Sequence, residues 1–220
     1  MRLLLVNPNT SVATTGAMLA IARGAAPDGV MIEGATARFG AALITDEAAL
    51  AVAANAALDV PRPAGLDGII VAAFGDPGLD ALRRSQAAPV TGIAEAAMAE
   101  AARHGRFVVV TTTPGLAASI ARLAGRYGHG AAFAGVRLTP GDPADLMADP
   151  ARLLAALASA CVGAVHGDGA SAVVIGGGPL AAAAHTLRQE LAVPVIEPVP
   201  AAVQLATMRG RASGMVLACH

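Results

Sequence analysis

The order of apolar runs repeats once within this chain, and that repeat restricts the folds open to it more than any other feature. Arg2-Leu3-Leu4-Leu5-Val6 returns as Arg106-Phe107-Val108-Val109-Val110, an offset near 104 residues. At the same offset, Gly68-Ile69-Ile70-Val71-Ala72 returns as Ala172-Val173-Val174-Ile175-Gly176, and Pro89-Val90 returns close by as Pro194-Val195. Short apolar runs bounded by Gly and Pro are the mark of strands buried on both faces of a parallel sheet. The Ala- and Leu-rich stretches between them read as crossover helices.

Strands are expected at 2–7, 30–37, 67–73, 89–93, 106–112, 132–138, 170–176 and 194–197. Helices are expected at 11–24, 44–58, 78–86, 94–103, 115–127, 150–165, 179–191 and 199–209. The expected fold class is α/β, with two similar Rossmann-like lobes whose parallel sheets are related by a pseudo-twofold. Lobe 1 is expected to span 1–103, completed by the C-terminal segment 198–220, and lobe 2 to span 104–197. The active site is expected in a cleft between them, since ligands of open α/β sheets bind beyond the strand C-termini.

Those strand ends carry the polar residues. Leu3 to Val6 run into Asn7-Pro8-Asn9-Thr10; Val109-Val110 run into Thr111-Thr112-Thr113-Pro114; Val173 to Ile175 run into Gly176-Gly177-Gly178-Pro179. Amide and hydroxyl groups of Asn7, Asn9, Thr10, Thr111, Thr112 and Thr113 suit a carboxylate or an imide carbonyl. The same residue types also serve as ordinary turn and helix-start residues. The triple glycine lets a ligand approach the backbone and leaves amides for an oxyanion. Asp76, in Phe74-Gly75-Asp76-Pro77-Gly78, is a candidate base and equally a turn residue. Glu95 and Glu197, each after a strand, are further candidate acids, although a Glu in the first helical turn also answers the helix dipole. His185 reads as a solvated helix residue, and the remaining histidines show no metal spacing.

Composition removes several function classes. All fifteen basic residues are Arg, so a lysine Schiff base and a Walker phosphate loop are both excluded. The net charge of -1 offers no bulk attraction for nucleic acid or an acidic membrane. Mean hydropathy is positive (+0.60), yet no apolar run reaches the roughly 20 residues of a spanning helix. A cytoplasmic protein is expected, with no membrane or nucleic-acid partner. The two cysteines, Cys161 and Cys219, form neither a disulfide framework nor a metal knuckle. Cys161 is expected as core filling in a helix, and Cys219 at the periphery.

Taken in order, Val6-Asn7-Pro8-Asn9-Thr10, Phe39-Gly40 with Asp46-Glu47, Phe74-Gly75-Asp76-Pro77-Gly78-Leu79, Gly92-Ile93-Ala94-Glu95-Ala96, Val110-Thr111-Thr112-Thr113-Pro114 and Pro194-Val195-Ile196-Glu197 resemble the aspartate/glutamate/hydantoin racemase superfamily, most of all its hydantoin and allantoin racemase branch. The resemblance implies a cofactor-independent enzyme and a homo-oligomer. It also implies two cysteines, one per lobe, flanking an acidic substrate carbon, at the positions held here by Ala73 and Gly177. A second acid beside Asp76 is replaced by Gly75.

A methyl group and a hydrogen cannot deprotonate a carbon acid, so the two-thiol mechanism is closed to this chain. Two functions stay open. One is an enzyme acting next to a carbonyl of a small carboxylate, ureide or cyclic imide, as an isomerase, lyase or hydrolase with non-thiol chemistry. Asp76, Glu95, Glu197 or a held water would then move the proton, with Asp76 the first choice because its loop adjoins position 73, and Asn7, Asn9, Thr10, Phe74, Thr111 to Thr113 and Gly176 to Gly178 would bind substrate. The other is a non-catalytic small-molecule-binding homologue that keeps the pocket. No metal site is expected in either.

Overall fold

The computed structural model describes residues 1–218; Cys219 and His220 lie outside it, and with them the expectation for Cys219. The elements run β1 (Arg2–Asn7), α1 (Val12–Gly24), β2 (Met31–Thr36), α2 (Glu47–Asp59), β3 (Gly68–Val71), α3 (Leu79–Ser85), β4 (Val90–Gly92) and α4 (Ile93–Ala102). They continue with β5 (Phe107–Thr111), α5 (Ala117–Arg126), β6 (Phe133–Leu138), α6 (Pro143–Ala148), α7 (Pro150–His166), β7 (Ala172–Ile175), α8 (Ala181–Leu187), β8 (Val195–Ile196) and α9 (Pro198–Ala218). Short 3-10 turns, Pro114–Leu116 and Gly178–Leu180, lead into α5 and α8.

The strands form two four-stranded sheets, ordered β2-β1-β3-β4 and β6-β5-β7-β8, with every pairing parallel. The two orders are the same order displaced by four strands, so the sequence repeat is a repeat of topology. By contacts the chain divides into two compact units. The first comprises Met1–Ile44, Ala48–Ala96 and Val199–His220; the second comprises Thr45–Glu47 and Ala97–Pro198.

Burial explains the pattern. The central strands β1, β3, β5 and β7 are apolar between their ends and closed to solvent there, with Leu3, Leu5, Ile69, Ile70, Val109 and Val174 at zero exposure. Such residues each contribute on the order of 2 kcal/mol from burial. Edge strand β2 alternates instead, with exposed Met31 and Glu33 flanking buried Ile32. In the second unit, Val108, Val110, Val173 and Ile175 pack with Leu157, Cys161 and Leu187 from α7 and α8. Cys161 is core filling, as its helical setting implied.

Two helices depart from the sequence reading. The stretch before α7 carries its own helix, α6, because Asp142 caps it and Pro143 occupies its first position. Asp149 and Pro150 then restart the chain as α7 in the same way. At the C-terminal end α9 runs on to Ala218 rather than ending at 209, since neither Gly210 nor Gly214 is followed by a proline that would stop it.

Candidate functional site

In the first unit the C-terminal ends of the adjacent strands β1, β3 and β4 bring together the loops carrying Asn7 to Thr10, Ala73 to Asp76 and Glu95. In the second, the ends of β5, β7 and β8 bring together Thr111 to Thr113, Gly176 to Gly178 and Glu197. Each group lies where a parallel sheet opens to ligand.

Asn7 is closed to solvent, and its amide is spent inside the protein. Asn7 Nδ2 donates to Asn9 Oδ1 (2.7 Å), Thr15 Oγ1 (3.0 Å) and the Ser11 carbonyl (3.2 Å), while Asn7 Oδ1 accepts from the Asn9 amide (3.2 Å). Thr15 continues the network to Thr36, 2.6 Å away on β2. Asn7 therefore shapes the loop and presents no donor to a ligand, contrary to the direct role its type suggested. The cap of α1 is Ser11, whose hydroxyl accepts from the Thr14 amide. Thr15 and Thr36 escaped sequence reading because a threonine within a helix or a strand carries no signal of its partner.

Asp76 is buried and adopts a left-handed backbone (φ 47°), alone among the described non-glycine residues. Its two carboxylate oxygens accept from the backbone amides of Ala94 (2.9 Å) and Glu95 (2.8 Å). The loop after β3 thus caps the first turn of α4, where free N–H groups favour an anion. Gly92 makes this possible, because a β-carbon there would overlap the Asp76 carboxylate. Gly78, which opens α3, has φ 76° and lies so close to α2 that a β-carbon would sit 2.8 Å from the Ala54 carbonyl oxygen. Phe74 and Ala73, on the same loop, are both buried.

Glu95 is held between two guanidiniums. Arg83 Nη2 donates to both of its oxygens (2.8 and 2.7 Å), and Arg209 on α9 binds it bidentately (2.8 and 2.9 Å). Burial alone would raise its pKa, but the hydrogen bonds and charges of Arg209 and Arg83 prevail and bring it down to about 2. Glu95 is a fixed anion that ties α3, α4 and α9 together. Arg83 lies on the preceding helix and Arg209 is 114 residues away, so neither the spacing nor the neighbours of Glu95 announced them.

At the β5 end, Thr111 is buried and its hydroxyl accepts from the Thr113 amide (3.3 Å) and donates to Thr113 Oγ1 (3.3 Å). At the β7 end the glycine amides are less free than expected. Gly176 N–H donates to Val110 O (2.8 Å) in continuation of the sheet, and Gly177 N–H to Ile175 O (3.2 Å). Gly177 is extended (φ 166°), a conformation open to any residue, and a β-carbon there would meet Leu180 at 3.1 Å. Among the described residues, Asn9 Nδ2, the Thr10 and Thr112 hydroxyls and the Gly178 N–H make no hydrogen bond.

Glu197 directly follows β8 and is 5% exposed at its side chain. His185 Nδ1 and Arg188 Nη1 approach it at 3.6 and 3.5 Å, from side chains that are 70% and 65% exposed. Neither approach is a hydrogen bond. His185 is the solvated helix residue that its position implied. Among the described residues no group of three His, Cys, Asp or Glu side chains is arranged to hold a metal ion, and no helix is long and apolar enough to cross a membrane.

Comparison with known proteins gives one consistent result. The family model described as Asp/Glu/Hydantoin racemase matches residues 3–206. A hydantoin racemase of Pseudomonas sp. (strain NS671) is 32% identical over 210 residues, 94% of this chain and 84% of that protein. The solved allantoin racemase of Klebsiella pneumoniae superposes with a TM-score of 0.89 at 36% identity, covering 94% of this chain and 86% of the other. That of Pseudomonas fluorescens gives 0.91 at 31% identity, covering 96% and 92%.

Proposed function

The chain belongs to the Asp/Glu/hydantoin racemase family, and from that premise we propose that it acts next to a carbonyl of a small carboxylate, ureide or cyclic imide by non-thiol chemistry. In this reading Ala73 and Gly177 stand where relatives carry their thiols. The enzyme works without a cofactor, as a homo-oligomer in the cytoplasm. One observation carries the chemistry: the described cysteine, Cys161, is sealed in the second unit's core on α7, where burial pushes its thiol up to about 12. A thiol so placed neither reaches a substrate nor ionises near neutral pH.

Among the three candidate acids, commitment to other partners decides the order. Glu95 is neutralised by Arg83 and Arg209 and is too weak a base at about 2. Asp76 has both oxygens occupied by amides and acts as a positioning residue for the loop that carries Ala73 and Phe74. Among the described residues Glu197 accepts no hydrogen bond, and its cationic neighbours are two long, solvent-side ones. We assign it the proton transfer. Its carboxylate takes the proton from the carbon beside the carbonyl, becoming a carboxylic acid while the bond's electron pair enters an enolate. Within the same unit as Glu197, the Thr112 hydroxyl and the Gly178 amide are the donors left to hold that oxyanion. A solvent water gives a proton to the opposite face of that carbon, and the hydroxide it leaves takes the proton from Glu197, which completes an isomerisation with the carboxylate restored.

The second reading, a binding protein without turnover, draws on the same commitments: two of the three acids are engaged as structural anions. Proton NMR in D₂O separates the two. With hydantoins, allantoin, amino acids and aryl malonates as the panel, the enzyme reading expects loss of one substrate's α-proton signal, abolished by Glu197→Gln. Saturable line broadening with no exchange and no product identifies the binding protein.

A further inference from the structure

Beside the Glu95 cluster, away from the strand C-termini, lies a cavity of about 330 Å³ within the first unit. It is lined by Arg83, Gln86, Pro89 and Arg209, with Ala87, Ala88 and Val90 completing its wall. Two guanidiniums share one carboxylate here, which leaves one positive charge over. The cluster is also not saturated. Arg83 spends Nε and Nη2 on the Val90 carbonyl and Glu95, and Arg209 spends Nη1 and Nη2 on Val90, Thr91 and Glu95. Among the described residues, Nη1 of Arg83 and Nε of Arg209 have no acceptor. Both side chains are about a third exposed (34% and 32%), so they are reachable from solvent.

We propose that this cavity is an effector site for a small oxyanion, a phosphate or a carboxylate, distinct from the substrate site. Planar guanidiniums with spare N–H groups recognise oxyanions by paired hydrogen bonds. The site is coupled to the β3 loop through a short chain of contacts. An incoming anion competes with Glu95 for Arg83 and Arg209. Glu95 is also the residue whose amide, with that of Ala94, grips the Asp76 carboxylate. Loosening Glu95 therefore loosens the first turn of α4 and the loop on which Ala73 and Phe74 sit. The binding itself does not depend on the reaction proposed above.

The test uses the whole protein and two probes, inorganic phosphate and succinate, titrated calorimetrically at constant ionic strength against chloride. Saturable binding of at least one probe is expected, with phosphate alone binding identifying a phosphoryl site and succinate alone a carboxylate site. Ala88→Glu, which places a competing carboxylate in the cavity, is expected to abolish that binding while the unfolding midpoint stays at or above that of the unmodified protein. Failure of both probes to bind overturns the proposal, as does undiminished binding to a folded Ala88→Glu variant. For the coupling, bound anion is expected to speed amide hydrogen exchange at Ala94 and Glu95. Saturable binding with unchanged exchange there overturns the effector role.

Discussion

Asp76 holds the amide of Glu95 at 2.8 Å across nineteen positions of sequence, while the Glu95 side chain is gripped from its other end by two arginines. One residue thus couples the β3 loop to α3, α4 and α9 through its backbone on one side and its carboxylate on the other.

The capping half of that relationship has a measurable cost. Asp76→Ala removes the acceptor for two helix-start amides and is expected to destabilise the protein by about 2 kcal/mol in urea denaturation. Gly92→Ala displaces the same carboxylate and should cost a similar amount. Because both act on one contact, the double variant is expected to lose clearly less than the sum of the two. Additive losses would separate Gly92 from the cap.

The ion-pair half sets an acid limit. The folded-state pKa of Glu95 is depressed, from the ordinary 4.5 to about 2. A depressed carboxylate contributes stability that is fully present above its unfolded pKa and lost as pH falls through the folded one. Stability is therefore expected to decline between about pH 4.5 and pH 2. Glu95→Gln should cost on the order of 2 kcal/mol at neutral pH, discounted from a fully buried pair by the exposure of both arginines, and should flatten that acid decline. Midpoints of urea unfolding across this pH range check both.

The buried amide of Asn7 is expected to matter more for stability than for ligand contact. Asn7→Ala takes one donor each from the Thr15 hydroxyl, the Asn9 carboxamide oxygen and the Ser11 carbonyl, with an expected loss of about 2–3 kcal/mol. Asn9→Ala and Thr112→Ala should instead weaken ligand binding with smaller effects on unfolding. Equilibrium denaturation alongside a ligand titration distinguishes the two patterns.

Cys161 should be silent. In a Cys219→Ser background the remaining thiol is expected to resist a disulfide reagent at neutral pH until the protein unfolds, since burial lifts its pKa to about 12. Rapid reaction of the native protein would contradict its place in the core.

The parallel strands were legible because buried runs such as Leu3–Val6 and Val173–Ile175 leave few other options for an α/β chain, and their repeat carries over into the matching sheet orders. The α6 helix was legible in principle: Asp142-Pro143 and Asp149-Pro150 are two successive cap signals, and a single helix at 150–165 took only the second. What could not be read was which polar groups are already spent. Asn7 looks like a ligand donor until Thr15 folds beneath it, and Glu95 looks like a base until Arg209 arrives from more than a hundred residues away. Gly176 and Gly177 offer amides on paper that the sheet and the turn consume. Partner choice of this kind is a tertiary property, invisible to residue type and spacing.

We propose that the strand-end apparatus of a racemase is retained while the thiols are replaced at Ala73 and Gly177. Gly177 is extended, and the nearest atoms to a β-carbon there are those of the flexible Leu180 side chain, which must give by a few tenths of an ångström. The most direct measurement is the loss of optical rotation of an enantiopure 5-substituted hydantoin, and of allantoin, with the double variant Ala73→Cys/Gly177→Cys. The expected result is racemisation by the double variant at a rate well above that of the unmodified protein and of either single variant. A double variant that folds, exposes two reactive thiols and racemises neither compound would contradict the assignment of those positions.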